Sequence, residues 1–273
     1  MPLTIDRDAE TAKLKAARAG DRRAFDSLIA PHLPLLHKFL LRILCQPADA
    51  EDIAQETLLT AFQKLDTFRG EARFQTWLFG IATRKALDVL RNRKRWPIEG
   101  QIIGEQKALA SPALMQELVS TLSAVDFVYE YRQHVAYCFS CVTQTLEPEL
   151  AIALMLREIV LLENQDAADA MTVSESKFRH FLSQARQHMS DSYEGLCALI
   201  GKSGVCYQCN KLRDLVSEEK RGPMPEPLAP FEAPPETKLN RRLAMVREAD
   251  LENAPAHRVL LKFMSELWAG SPS

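Results

Sequence analysis

The chain has 273 residues, 47% of them hydrophobic and 26% charged, a globular composition long enough for two or three domains that each bury a core. No apolar run approaches the ~18 residues of a membrane span, and Met1 to Lys13 lacks the apolar stretch of a secretory signal, so a reducing cytoplasmic setting with unpaired cysteines is expected. The formal net charge of −2 excludes little, because opposed patches average away.

Few glycines, and few Val, Ile or Thr outside helical windows, predict an all-α protein. Residues 1–15 read as a flexible N-terminus and 16–97 as a first helical domain. Asp49 stands where an N-cap belongs, with Asp52 three residues on, which predicts a helix from Ala50 to about Leu65. Ala54, Leu58, Ala61, Phe62 and Leu65 share its apolar face, and Asp52, Glu56, Thr60 and Gln63 lie opposite. That polar face is either solvated or a docking surface for a basic partner, with Leu59 exposed beside the acids.

The next helical segment, Phe74 to Arg95, has two unlike faces. Leu78, Phe79, Ala82, Ala86, Val89 and Leu90 form a core face, and roughly opposite lie Phe74, Trp77, Ile81, Arg84, Lys85, Asp88, Asn92 and Arg95. Residues 69 to 95 carry eight Lys or Arg against Glu71 and Asp88. Cations neutralise phosphates and aromatic rings stack on unpaired bases, so this stripe suits single-stranded or opened DNA. The competing reading is that Phe74 and Trp77 complete the core and the cations are solvated.

Residues 98–129 are more mixed and read as a linker. A second helical domain is expected over 130–212, where Leu146 to Leu161, Gln165 to Met171, a Thr172-Val173 turn and Ser174 to about Met189 have helix-turn-helix spacing. In its last helix Phe178, Leu182, Ala185 and Met189 make a buried stripe. Ser176, His180, Ser183 and Gln187 lie opposite, flanked by Lys177 and Arg179, where base edges and phosphates are read. Residues 213–236 are proline-rich and cannot be helical throughout, and 237–273 regain helical period with Val259, Leu260, Phe263, Met264, Leu267 and Trp268 in one stripe.

The run from Asp49 to Arg95 resembles region 2 of the extracytoplasmic-function (ECF) sigma factors of bacterial RNA polymerase, through D-A-E-D-x-x-Q-E-T at Asp49 to Thr57, F-R-G at Phe68 to Gly70, F-x-T-W-L-x-x-I-A at Phe74 to Ala82 and A-x-D-x-x-R at Ala86 to Arg91. The resemblance implies that Asp49, Glu51, Asp52, Gln55 and Glu56 dock on core polymerase. It implies likewise that Arg69, Arg73, Phe74, Trp77, Arg84, Lys85, Asp88, Arg91, Asn92 and Arg95 capture the non-template strand of the minus-10 element. Arg84 stands where the family usually has Asn. The later helices resemble region 4, through Ala167-Ala168, Val173-Ser174-Glu175, Leu182 and Ala185-Arg186. This implies that Ser174, Ser176, Lys177, Arg179 and His180 read the minus-35 element, with Thr172 in place of the usual turn glycine. An anti-sigma partner would be in keeping with the family, and no enzymatic activity is expected.

Cys138-Phe-Ser-Cys141 and Cys206-Tyr-Gln-Cys209 bracket the second domain. Two such pairs offer four thiolates with the bite tetrahedral zinc requires, so zinc is the expected cofactor, with His134 as an alternative ligand. His134, Cys138 and Cys141 resemble the short zinc motif of certain anti-sigma factors. A thiol redox switch competes with zinc, and Cys45 and Cys197 read as core residues. The alternative function from another class is a zinc-dependent helix-turn-helix regulator acting without polymerase. A thiol oxidoreductase is disfavoured by the lack of a βαβ pattern.

Overall fold

The computed structural model describes residues 7–122, 127–197, 218–220, 232–251 and 253–269. Its first five helices are α1 (Arg7–Arg18), α2 (Arg22–Ile29), α3 (Leu33–Leu44), α4 (Pro47–Gln63) and α5 (Phe74–Arg91). Helix therefore begins within the stretch expected to be flexible. Asp21 caps α2 by accepting from the Arg23 and Ala24 amides at 2.9 and 3.1 Å. α4 starts earlier than the capping pattern predicts: Pro47, with φ preset and no amide to satisfy, takes the first turn after Gln46. Asp49 thus lies inside the first turn, where its charge complements the helix dipole. Phe25, Leu28, Ile29, Ala61, Leu65, Phe68, Phe74, Leu78 and Ile81 close the core of this bundle.

Residues 98–129, expected as an irregular linker, contain two helices, α6 (Gly100–Leu109) and α7 (Pro112–Leu122). Pro112 starts the second, and Ala108, Leu118 and Leu122 give the pair buried positions. α8 (Phe127–Thr143), α9 (Pro148–Glu158), α10 (Asn164–Met171) and α11 (Glu175–Leu196) follow. Leu36, Phe39, Leu40 and Ile43 of α3 share one core with Phe139 of α8, Ile152 and Met155 of α9 and Phe178 of α11. Buried Gln144 fastens the seam by donating to the Ile43 carbonyl at 2.8 Å.

The C-terminal extension is two helices, α12 (Pro235–Glu248) and α13 (Pro255–Ala269), with Pro255 opening the second, which carries the whole apolar stripe from Val259 to Trp268. α12 lies on α8 and α11, and α13 on α7 and α8. Leu261 and Met264 are buried, and Met264 sits so close over Gly104 that a side chain there would collide with its sulfur. Among the described residues every regular element is helical, and no helix is long and apolar enough to cross a membrane.

Candidate nucleic-acid interface

α4 presents Glu51, Asp52 and Gln55 to solvent beside Leu59, which is 58% exposed. Asp49 and Glu56 are engaged with the neighbouring basic segment: Asp49 pairs with Arg93, just past the end of α5, and Glu56 accepts from Lys85 Nζ of α5 at 2.9 Å. Phe62 rests edge-on against Phe25 with centroids 5.0 Å apart. The outer face of α4 is therefore an acidic rim around an apolar spot.

On α5 the expected stripe divides. Phe74 is fully buried, its ring 5.7 Å from His32, 5.7 Å from Phe68 and 5.6 Å from Trp77, and this removes it from the strand-contacting set. The physical reason is its position at the start of α5, where Phe68 folds back over it and covers a face that a free helix would expose. Ile81 is buried likewise. Trp77 stays half-buried against Phe68 at 5.4 Å, with one side towards the surface.

Arg69, Arg73, Arg84, Asp88, Arg91, Asn92 and Arg95 are exposed and Lys85 is half-buried. Some of these are engaged. Arg91 grips Glu149 through Nε and Nη2 at 3.2 and 2.7 Å, Arg95 pairs with Glu147 at 2.8 Å, and Asn92 donates to the Asp88 carbonyl at 2.8 Å. Burial works to raise Glu149, but the Arg91 contacts outweigh it and leave the carboxyl below its ordinary value. Among the described residues the side chains of Arg69, Arg73 and Arg84 make no hydrogen bond or ion pair. A cleft of about 330 Å³ lies between α5 and the loop before it, lined by Arg69, Trp77, Gly80 and Arg84 on one side and by Asp169 and Ala170 of α10 on the other. Gly70 turns that loop with φ +80°, in the left-handed region.

Residues 28–96 match the family described as Sigma-70 region 2. The chain is 27% identical to the RNA polymerase sigma-H factor of Pseudomonas aeruginosa over 195 residues, 71% of this chain and 97% of the relative. It is 26% identical to the ECF RNA polymerase sigma-E factor of Haemophilus influenzae over 187 residues, 68% and 96% of the two chains. Residues 28–96 are thus similar to Sigma-70 region 2, and about two thirds of the chain is similar to RNA polymerase sigma factors. A solved structure, CnrH in complex with the cytosolic domain of CnrY, aligns with a TM-score of 0.48 at 21% identity over 67% of this chain and 96% of that one.

The helix-turn-helix spans α9 to α11. Thr172 takes the left-handed turn with φ 58°, a conformation that costs a β-branched residue about 1 kcal/mol or more. Ser174 caps α11 by accepting from the Lys177 amide at 3.2 Å. Ser174, Ser176, Lys177, Arg179 and His180 are all exposed on one end of α11, with Arg179 paired to Glu175 at 2.5 Å and Lys177 over the Phe181 ring at 5.5 Å. Phe178, Ala185 and Met189 are buried, as the periodicity predicts.

Four of the six cysteines fall within the described residues. Cys206 and Cys209 lie outside the described residues. Cys138 and Cys141 are both buried on α8, and burial pushes both thiols up. The Cys138 sulfur faces Gln101 at 3.5 Å and the Arg242 guanidinium at 3.4 Å, which also reaches Cys197 at 3.2 Å and stacks on Tyr193 at 4.0 Å. Cys45 and Cys197 are buried in the core, and burial raises Cys45 to about 12. His134 instead meets His257 of α13, Nδ1 to Nε2 at 3.3 Å, and burial, then His257 and Arg242, hold it well below the usual imidazole value. Among the described residues no three His, Cys, Asp or Glu converge on one point.

Sequence reasoning missed the contacts that join the two domains. Thr76 Oγ1 donates to Asp166 Oδ1 at 3.1 Å, and Gly80 lies against the Ala170 backbone. Their only trace in the chain is a small residue on each helix, which periodicity reads as ordinary core.

Proposed function

We propose that this protein is an ECF-type sigma factor that brings core RNA polymerase to promoters. The acidic rim of α4, with Leu59 at its centre, is the core-docking surface through Asp49, Glu51, Asp52, Gln55 and Glu56. Arg69, Arg73, Trp77, Arg84, Lys85, Asp88, Arg91, Asn92 and Arg95 bind the opened minus-10 strand, the cations on phosphates and Trp77 stacking on a base. The start of α11, through Ser174, Ser176, Lys177, Arg179 and His180, enters the minus-35 major groove.

The observation that carries this reading is the cleft beside α5, where Arg69 and Arg84 flank the exposed side of Trp77 without an ion-pair partner among the described residues. A merely structural basic helix spends its cations on neighbouring carboxylates, as Arg91 and Arg95 do. The site of action is the cytoplasm, where polymerase and promoter are. Run-off transcription with purified core polymerase over a library of promoter fragments tests the proposal: promoter-dependent transcripts support it, and their absence with every fragment refutes it.

The zinc clamp rests on the spacing of the two Cys-x-x-Cys pairs. Within the described pair, the Cys138 sulfur also accepts from the Arg242 guanidinium at 3.4 Å. Metal analysis of protein purified under reducing conditions decides: about one zinc per chain, lost in Cys206→Ser and Cys209→Ser, supports the clamp, and metal-free protein refutes it.

A further inference from the structure

The C-terminal extension and the helices between the two domains together wall a small pocket of about 100 Å³, to which α6, α7, α8 and α13 all contribute. Ala108, Leu109, Met115, Leu118, Phe263 and Met264 make most of its lining apolar. Met264 reaches in across Gly104, whose lack of a side chain leaves room for the thioether, and Leu109 is 55% exposed, so the pocket has an outlet to solvent. An engineered cavity of ~150 Å³ lined by apolar side chains takes up benzene, whereas drug-sized ligands occupy about 300–1,000 Å³. The space here therefore suits a single small ring.

Three lining residues are polar, and they differ in what they offer. Tyr137 engages Cys141 through its hydroxyl. Glu105, half-buried, is a carboxylate and opposes an anionic ligand. His134 is 4% exposed; its Nδ1 faces His257 Nε2 at 3.3 Å, and among the described residues no hydrogen bond is made at its Nε2. A buried ring nitrogen without a partner is costly in an apolar setting, and here it belongs to a ring that lines the pocket.

We propose that this pocket binds a small uncharged phenol, one aromatic ring held between α13 and the helices α6 to α8 with its hydroxyl on His134 Nε2. A hydroxyl both donates and accepts, so it pairs with Nε2 whichever imidazole of the His134–His257 contact carries the shared proton. The Met115 and Met264 thioethers favour an aromatic ring over an aliphatic chain, because sulfur makes favourable contacts with ring edges. Occupancy fastens the extension to the helices that link the domains.

The test uses the full-length chain with phenol, benzene and benzoate as probes, followed by saturation-transfer NMR titration. The expected result is saturable phenol binding with a Kd of about 1 mM or tighter, benzene weaker by at least about tenfold, and no binding of benzoate. Ala108→Leu fills the pocket and should weaken phenol at least about tenfold. His134→Phe keeps a ring and removes Nε2, so phenol should fall to the benzene level while benzene still binds. Helical content and a cooperative melt establish that each variant folds; should His134→Phe fail to fold, the phenol-to-benzene ratio of wild type and the Ala108→Leu titration decide. Absence of saturable phenol binding to wild type, benzene or benzoate binding as tightly as phenol, or a folded variant that binds phenol as wild type does each overturns the proposal. None of these readouts involves polymerase or DNA, so the outcome is independent of the sigma-factor reading.

Discussion

Replacing Phe74 by alanine separates the two readings of the aromatic end of α5. The ring is fully buried and touches His32, Phe68 and Trp77, so its loss removes a large apolar surface and leaves a cavity that three aromatic neighbours cannot collapse into. Buried Phe-to-Ala changes cost about 3–5 kcal/mol, and edge-on and tilted ring contacts place this site towards the upper end. Against a total stability of roughly 5–15 kcal/mol, Phe74→Ala should unfold at a much lower urea concentration, and Phe74→Leu should lose about 1–2 kcal/mol. Trp77→Ala, at a half-exposed position, should instead weaken strand binding by about 1–3 kcal/mol with a smaller effect on the midpoint. The assay pairs urea unfolding followed by circular dichroism with strand binding by the full-length chain. If Phe74→Leu keeps the wild-type midpoint while strand affinity falls tenfold or more, the ring is a stacking platform and the packing argument is wrong.

Further outcomes follow from other contacts. Burial holds His32 at about 4, below its ordinary value near 6.5, so between these values the unfolded chain takes up the proton and the folded chain does not. The stability this imidazole contributes is therefore complete above about pH 6.5 and lost as pH falls towards 4, about 2 kcal/mol of it by pH 5, and urea titrations of His32→Leu should show a flatter pH dependence than wild type. Glu158→Gln leaves Arg186 and Arg247 beside a neutral side chain; because both arginines are about a third exposed, the cost should be about 1–3 kcal/mol, seen as a lower Tm and faster proteolytic release of α12–α13. Arg84→Ala should leave Tm unchanged, weaken strand binding and lower the salt slope of that binding by about 0.7, the single-strand value for one phosphate contact. A Tm drop of several degrees in Arg84→Ala would mean that its guanidinium supports the fold.

Helix content, the paired motifs of α4 and α5 and the helix-turn-helix order were legible because each depends on neighbours within a few turns. Phe74 misled because wheel arithmetic assigns a direction around one helix and has no knowledge of the loop before it, and Phe68 supplies the cover. Residues 98–129 looked irregular because α6 carries weak periodicity of its own, and both α6 and α7 are held by α13, a partner more than 130 residues away. The group beside Cys138 was not legible either, because it is Arg242, 104 residues later, which no local pattern announces. Asp166 and Asp169 read as the polar face of a short helix until α5 is placed against them.

Glu158 and Arg247 are 89 residues apart in the chain. At a synthesis rate of about 5–20 residues per second, the carboxylate leaves the ribosome some 4 to 18 s before the guanidinium that will pair with it. Each newly made molecule therefore passes through an interval in which both domains exist with Glu158 lacking its Arg247 partner, so a binding partner present during translation meets a different surface from one that arrives afterwards.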